Sequence, residues 1–414
     1  MKVVVFEDDG GQGFGPLTLL RHTSLLRRGT KRLLDAMVEK IPDATDVGLW
    51  GRAELEGVTK EVTGKDYNDK PSGSALFVNA RARPSEGLLA LGSRQGSFVC
   101  LLNGEMVAAR LESGILNPGI ISRTDVLKAS KRATKVPAAG DALFRGYWDL
   151  VQSNGLAIAE QARHFEEALP IPRGVEVRGP ASNVIVHDSA DLEGNVTVDA
   201  RLGPVIIDEG AGIESFSRMI GPCYIGPKSR VHSALIGGGT SVFEACKVGG
   251  QIENSIILPH SNKAHHGYIG DSYVGSWVNL GAGCTFSNLK NTYGNVRLRV
   301  GRATVDSGMT KLGPVVGDMA KLSIGALVYA GRSIGAGAHV SGLASADVPD
   351  FTFFDSGSGR AVELLLGSVL ETQRRMMERR GIALSKSEEG LIRQAFASTA
   401  NKRRKAGVKR GRLR

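Results

Sequence analysis

The sequence predicts an α/β domain joined to a β-solenoid. Three observations carry this. Aliphatic residues recur at every sixth position through the second half of the chain. The first fifty residues read as strand, loop and helix. Glycine is abundant, 54 in 414 residues, while aromatics make up only 6%; glycine usage is nearly twice the usual ~7%.

The opening strand is Val3-Val4-Val5-Phe6, an apolar run ending at Glu7-Asp8-Asp9 and a cluster of glycines. Thr30 to Ile41 has apolar residues at helical spacing, with Thr30 as the expected N-cap. Val47–Trp50, Ala75–Val78 and Phe98–Leu102 are further strands, so residues 1–112 form a small α/β layer. Residues 113–170 are expected as a helical connector. Its runs Asp141–Leu150 and Leu156–Leu169 are broken at Asn154-Gly155 and stopped at Pro170-Ile171-Pro172.

From about 171 a period of six takes over. Val186, Leu192 and Val198 are in step, as are Ile207 and Ile213, Ile225 and Val231, and Ile236, Val242 and Val248. Val316, Leu322, Val328, Ile334 and Val340 form five in register. Six fits neither a helix nor a flat strand; it is the hexapeptide signature of a parallel β-helix, in which three hexads close one triangular coil. The period fails between 284 and 313, where a polar insertion with a strand-like centre, Val296–Val300, projects. The coil spans 171–350. Ala361–Arg380 and Ser385–Thr399 are amphipathic helices that would cap it within 351–400.

Eight of the 52 basic residues lie in 402–414, with none of the 42 acidic ones, and the rest of the chain is nearly neutral. Residues 401–414 are expected as a solvated basic arm, with weak contact to anionic surfaces as its further use. Cys100, Cys223, Cys246 and Cys284 are too scattered for a zinc site or a disulfide framework. No apolar run is long enough for a membrane span or a signal peptide, so a cytoplasmic protein is expected.

Chemistry concentrates at His260-Ser261-Asn262-Lys263-Ala264-His265-His266-Gly267-Tyr268-Ile269-Gly270-Asp271, which holds three of the eight histidines beside a lysine and a tyrosine. Lys263-Ala264-(His)-His266, Tyr268–Asp271, Val278-Asn279-Leu280-Gly281-Ala282-Gly283 and Asn288 resemble the acetyltransferase half of the bifunctional N-acetylglucosamine-1-phosphate uridyltransferase/glucosamine-1-phosphate N-acetyltransferase, in a bacterial branch of that GlmU-type family with a shortened nucleotidyltransferase-like N-domain. The resemblance implies a left-handed parallel β-helix of hexapeptide repeats, acetyl-CoA as co-substrate, and a homotrimer with acyl sites between subunits. It makes a histidine the general base: His266 counting forward from Lys263, His265 counting back from Tyr268. Imidazole suits the task because its ordinary pKa lies near working pH. Tyr268, Asn279 and Asn288 would hold the sugar, Lys263 its phosphate and Ala282 the acetyl-CoA arm. The family's further substrate lysine falls on Asn254 here.

In the N-domain the resemblance points to nucleotide binding at Gly11, Gly13, Arg21, Arg28 and Asn79. Arg27 is a further candidate phosphate ligand, and Mg2+ would lie on Asp8 or Asp9. The loop lacks the family's T-R and P-K, and Asn79 stands where a metal-binding aspartate is usual. The sequence therefore reads as an N-acetyltransferase on an amino-sugar phosphate such as glucosamine-1-phosphate, with nucleotidyl transfer giving UDP-N-acetylglucosamine as its companion activity. Two other readings compete: a non-catalytic, sugar-nucleotide-binding trimeric scaffold, and a zinc enzyme resembling γ-class carbonic anhydrases through His260 and His265.

Overall fold

The computed structural model describes residues 1–165, 171 and 173–411. The chain divides into two compact units: Met1–Leu26, Lys31–Tyr147 and Ser385–Gln394 make the first, and Arg27–Thr30, Trp148–Leu384 and Ala395–Arg414 the second.

The first unit is built on a six-stranded mixed sheet. Its strands are β1 (Lys2–Phe6), β2 (Asp46–Trp50), β3 (Ala75–Asn79), β4 (Phe98–Leu102), β5 (Glu105–Leu111) and β6 (Thr134–Pro137), in the order β2-β1-β3-β5-β4-β6. β1 runs parallel to β2 and β3, while β5 is antiparallel to β3 and β4. The four apolar residues of β1 are completely buried, as a parallel strand covered on both faces requires. The sequence's strand assignments hold here.

Three expectations for this region change. The segment from 113 is not a helical connector, because Arg123–Ser130 is a helix and β6 adds to the sheet beside β4. The α/β unit thus continues to Tyr147. The early helix is only Leu33–Val38, and Thr30 does not cap it; its N–H and hydroxyl both donate to Gln161 Oε1 in the second unit. The two helical runs do break here, as Tyr147–Gln152 and Asn154–Gln161, but Asn154 begins the second of them; its buried amide accepts from Gly29 N–H and donates to Gly239 O and Ser241 Oγ. The expected stop at Pro170 and Pro172 lies outside the described residues.

The second unit is a parallel β-solenoid whose hexads stack in three inward columns. One column runs Val186, Ile207, Ile225, Val242, Ile257, Val274, Val316 and Ile334. The next runs Leu192, Ile213, Val231, Val248, Lys263, then Leu280, Leu322 and Val340. The third runs Val177, Val198, Met219, Ile236, Ile252, Ile269, Phe286 and Val328. Every residue of the sixfold period falls in one of these columns. At the corners the backbone turns through the left-handed region, as at Ala245, His260 and Trp277 on one edge and Gly250, Gly267 and Gly283 on another. Gly335 shows why small residues follow the aliphatics: a Cβ there would lie 2.2 Å from Asp350 N. The insertion between 284 and 313 holds an antiparallel hairpin, Arg297–Val300 with Ala303–Asp306.

The solenoid closes with a hairpin, Thr352–Asp355 and Arg360–Glu363, before a helix at Leu366–Glu378 that starts later than the amphipathic pattern suggested. The basic segment is not a solvated arm in its described part. Ala400–Lys405 is a helix, Lys409 pairs with Val362, and Arg403 is buried. The reason is charge pairing: Arg403 Nε donates to Glu363 at 2.7 Å, and its other nitrogens donate to Thr399 Oγ1 and Phe396 O.

Candidate active sites

In the solenoid, Gly267 sets the geometry of the histidine corner. Its φ is +124°, and a Cβ there would lie 2.1 Å from Cys284 O, so only glycine lets the chain pass. The turn leaves His265 and His266 exposed on the outer edge. Gly283, in the following coil, donates its N–H to His266 O and lies against the imidazole: a Cβ at 283 would make an ordinary contact, 3.5 Å, with His266 Nε2. Ala282 precedes that glycine, so the structure brings both histidines and Ala282 to one corner.

Tyr268 follows on the adjoining face. Its hydroxyl accepts from Asn288 Nδ2 at 2.9 Å and donates to Glu253 Oε2 at 3.4 Å. Asp271 accepts from Asn288 at 2.5 Å and from Asn254 at 2.7 Å, each 17 residues away and hence at the same corner of neighbouring coils. Burial, then Glu253 and Asp271, push the Tyr268 phenol up to about 12, so it stays a hydrogen-bond donor at neutral pH. Beside this cluster runs an open groove of about 710 Å³, lined among others by Phe216, Arg218, Gln251, Gly267, Tyr268 and Thr285. Arg218 pairs with Asp199, and its Nε is buried without a hydrogen-bond partner.

Two residues do not join this group. Asn279 lies on the other face, where its Oδ1 accepts from Asn262. Lys263 points inward at 2% exposure, so it is not placed to meet a sugar phosphate. The histidines of the zinc reading occupy different edges, and His260 stacks on Trp277 at 4.2 Å. No group of three or more His, Cys, Asp or Glu suited to a metal exists among the described residues. Glu253 and Arg218 were missed by the sequence reading, and Asp271 was quoted in the motif without a role. The recurrence of polar residues at 254, 271 and 288 was the signal available for Asp271.

In the first unit, the crevice at the carboxyl ends of β1 and β3 is where an α/β sheet of this order places a ligand. Arg81 lies there, its side chain 4% exposed. It grips both oxygens of Asp8, at 2.9 and 2.5 Å, and reaches Glu105 at 2.7 Å. Asn79 donates to Asp8 at 2.7 Å. The glycine loop lies against this guanidinium, since a Cβ on Gly10 would meet Arg81 Nη2 at 2.2 Å. Residues Asp9–Phe14 form a 3-10 turn capped by Asp8, with Gly13 buried and Gly11 half-buried. A divalent cation does not fit here: Asp8 is neutralised by Arg81, and Asp9 stands exposed on the turn. Glu7, also buried, is pushed up by desolvation, but His22 and Arg52 outweigh this and hold it down to about 2. Of the arginines expected on phosphate, Arg27 is bidentate to Glu244 and Arg28 donates to Ser153, both within the second unit. Arg21 stays with Gly11 and Gly13 in the first.

These two units define the class: a hexapeptide-repeat β-solenoid joined to a nucleotidyltransferase-like α/β unit. Residues 3–168 match the sugar nucleotidyl transferase family. A bifunctional sugar-1-phosphate nucleotidylyltransferase/acetyltransferase of Sulfurisphaera tokodaii is 33% identical over 38% of this chain and 39% of its own. The bifunctional protein GlmU of Ralstonia nicotianae is 31% identical over 32% of each chain, and that of Azoarcus sp. is 28% identical over 63% of this chain and 59% of its own. The chain thus spans about a third to three-fifths of these relatives. Among solved structures, the UDP-N-acetylglucosamine acyltransferase of Francisella novicida covers 57% of this chain and 94% of its own, at 14% identity and a TM-score of 0.31, too low to carry an argument. By sequence the chain is thus similar to sugar nucleotidyl transferases over residues 3–168 and to bifunctional proteins of the GlmU type. No helix among the described residues is long and apolar enough to cross a membrane.

Proposed function

We propose that the solenoid transfers an acetyl group from acetyl-CoA to the amine of an amino-sugar phosphate of the glucosamine-1-phosphate kind. The observation that carries this is the exposed His265-His266 corner, opening beside the groove that Tyr268 and Thr285 line. In this reading one imidazole accepts a proton from the amine as its nitrogen bonds to the thioester carbonyl carbon. The C–S bond then breaks, and the CoA thiolate takes that proton from the imidazolium. Tyr268 and Asn288 orient the sugar, Ala282 lies by the thioester arm, and Arg218 is the groove's cation for the phosphate.

A homotrimer completes the site by giving the open groove a second wall. The exposed Phe216 and Ile324, at 77% and 79%, support such a face. For the first unit we propose sugar-nucleotide binding. Arg81 closing on Asp8 supports binding over metal-dependent nucleotidyl transfer.

The test is CoA release from acetyl-CoA with glucosamine-1-phosphate and related amino-sugar phosphates. Wild type should turn over, and His266→Ala or His265→Ala should lower kcat by about a hundredfold or more, in keeping with general-base catalysis. Wild-type rates in both variants would refute the base assignment.

A further inference from the structure

Position 263 interrupts an apolar column. Leu192, Ile213, Val231 and Val248 stack on one side of it and Leu280, Leu322 and Val340 on the other. Between Val248 and Leu280 stands a lysine, 2% exposed. A lone ammonium in such surroundings is strongly unfavourable unless its donors are met. Here Nζ donates to Gly249 O at 3.0 Å and to the carbonyl of His265.

Both acceptors belong to the histidine corner. Gly249 leads into Gly250, which turns at φ +73° in one coil. His265 leads through His266 into Gly267, which turns at φ +124° at the matching position of the next coil. One ammonium therefore ties together two successive turns of the edge on which both imidazoles stand. The glycines on either side give this edge little stiffness of its own, since no side chain restricts their backbone. Burial lowers the lysine to about 8, which leaves it mainly protonated at neutral pH and able to supply both bonds.

We infer that Lys263 is a positioning residue: it touches no substrate and acts from inside the coil, pinning the His265 carbonyl inward so that the two imidazoles project at a fixed angle. The catalytic part of this inference rests on acetyl transfer at that corner, while the positioning itself does not.

The experiment uses the full chain carrying Lys263→Met, which keeps the stem and removes the donors. The expected result is an unchanged or raised thermal midpoint, because replacing a buried ion with an apolar residue is often neutral or stabilising. The His265 and His266 imidazole NMR signals should shift and broaden. Acetyl transfer should lose about ten- to a hundredfold in kcat, the scale of a small misplacement of catalytic groups, with KM for acetyl-CoA within about threefold of wild type. Ethylammonium should partly restore kcat in Lys263→Ala. Unchanged histidine signals in Lys263→Met would overturn the inference. A wild-type chain without acetyl transfer would instead sink the proposed function and leave the NMR test standing. A measurement on the wild type guards against a variant that fails to fold: lysine acylation should spare Lys263 while labelling exposed Lys247, and equal labelling would overturn the inward placement.

Discussion

Arg403 makes the C-terminal segment a structural element, and substituting it tests this directly. Its guanidinium is 1% exposed and gives Nε to Glu363, Nη1 to Thr399 Oγ1 at 2.6 Å and Nη2 to Phe396 O at 2.8 Å. Its central carbon lies 4.3 Å from the Phe396 ring centroid. Removing one partner of a buried ion pair costs about 3–5 kcal/mol. Glu363 keeps 17% exposure and has Arg410 at 3.5 Å, which puts Arg403→Ala at the lower end of that range. Loss of the aromatic contact adds about 1 kcal/mol, for a total near 4. A chain of two units has no single unfolding free energy, so the assay is local hydrogen exchange. The Glu363 amide donates to Lys409 O at 2.8 Å, and the Leu364 amide to Phe351 O at 2.9 Å. Both amides should exchange about a thousandfold faster in Arg403→Ala, since every 1.4 kcal/mol is a factor of ten. Adding Glu363→Gln should recover part of the loss by removing the stranded charge. Unchanged exchange at both amides, in this variant or after deletion of 402–414, would refute the argument.

The first unit offers two more tests. Because Arg81 neutralises Asp8, titration of the full chain with Mn2+, followed by electron paramagnetic resonance, should show no tight stoichiometric site; one that Asp8→Asn abolishes would reverse this conclusion. Arg81→Gln should create Mn2+ binding between Asp8 and Glu105. Glu7 is held at about 2, below its unfolded value of about 4.3, so the stability it contributes is present above that value and is lost as pH falls toward 2. The loss is on the order of 3 kcal/mol. Glu7→Gln should flatten the acid transition seen by Trp50 fluorescence, and an identical transition would disprove the linkage. In the solenoid, Tyr268→Phe should raise KM for the acceptor by about tenfold, the scale of one lost hydrogen bond, with KM for acetyl-CoA unchanged.

The solenoid was legible because its inward positions repeat along the chain. Val316 through Val340 could be placed without knowing any pairing, since one periodicity dictates all three columns. The same logic hid Lys263: the family motif marked it as a substrate ligand, while the hexad register puts it on the column of Val248 and Leu280. Register was the stronger guide. The histidine corner was legible from composition, but the partnership of Asp271 with Asn254 and Asn288 depends on coil length. The first unit was read in part, because apolar runs reveal buried strands, whereas β5, with Glu105 at its start and Arg110 next to its end, does not look like one. Arg81 and Arg403 went unnoticed because a buried arginine is recognisable only by carboxylates distant in sequence, Asp8 and Glu363.

The route of the backbone through the two units has its own consequence. Residues 27–30 leave the first unit and residues 385–394 return to it, so its last piece arrives after the whole solenoid. Emerging from a ribosome, the first unit must wait for residues 385–394 before it is complete, and no single cut yields two intact halves. Truncation at residue 147 should leave an unfinished fold, and shuffling the solenoid onto another partner would require moving two splice points rather than one.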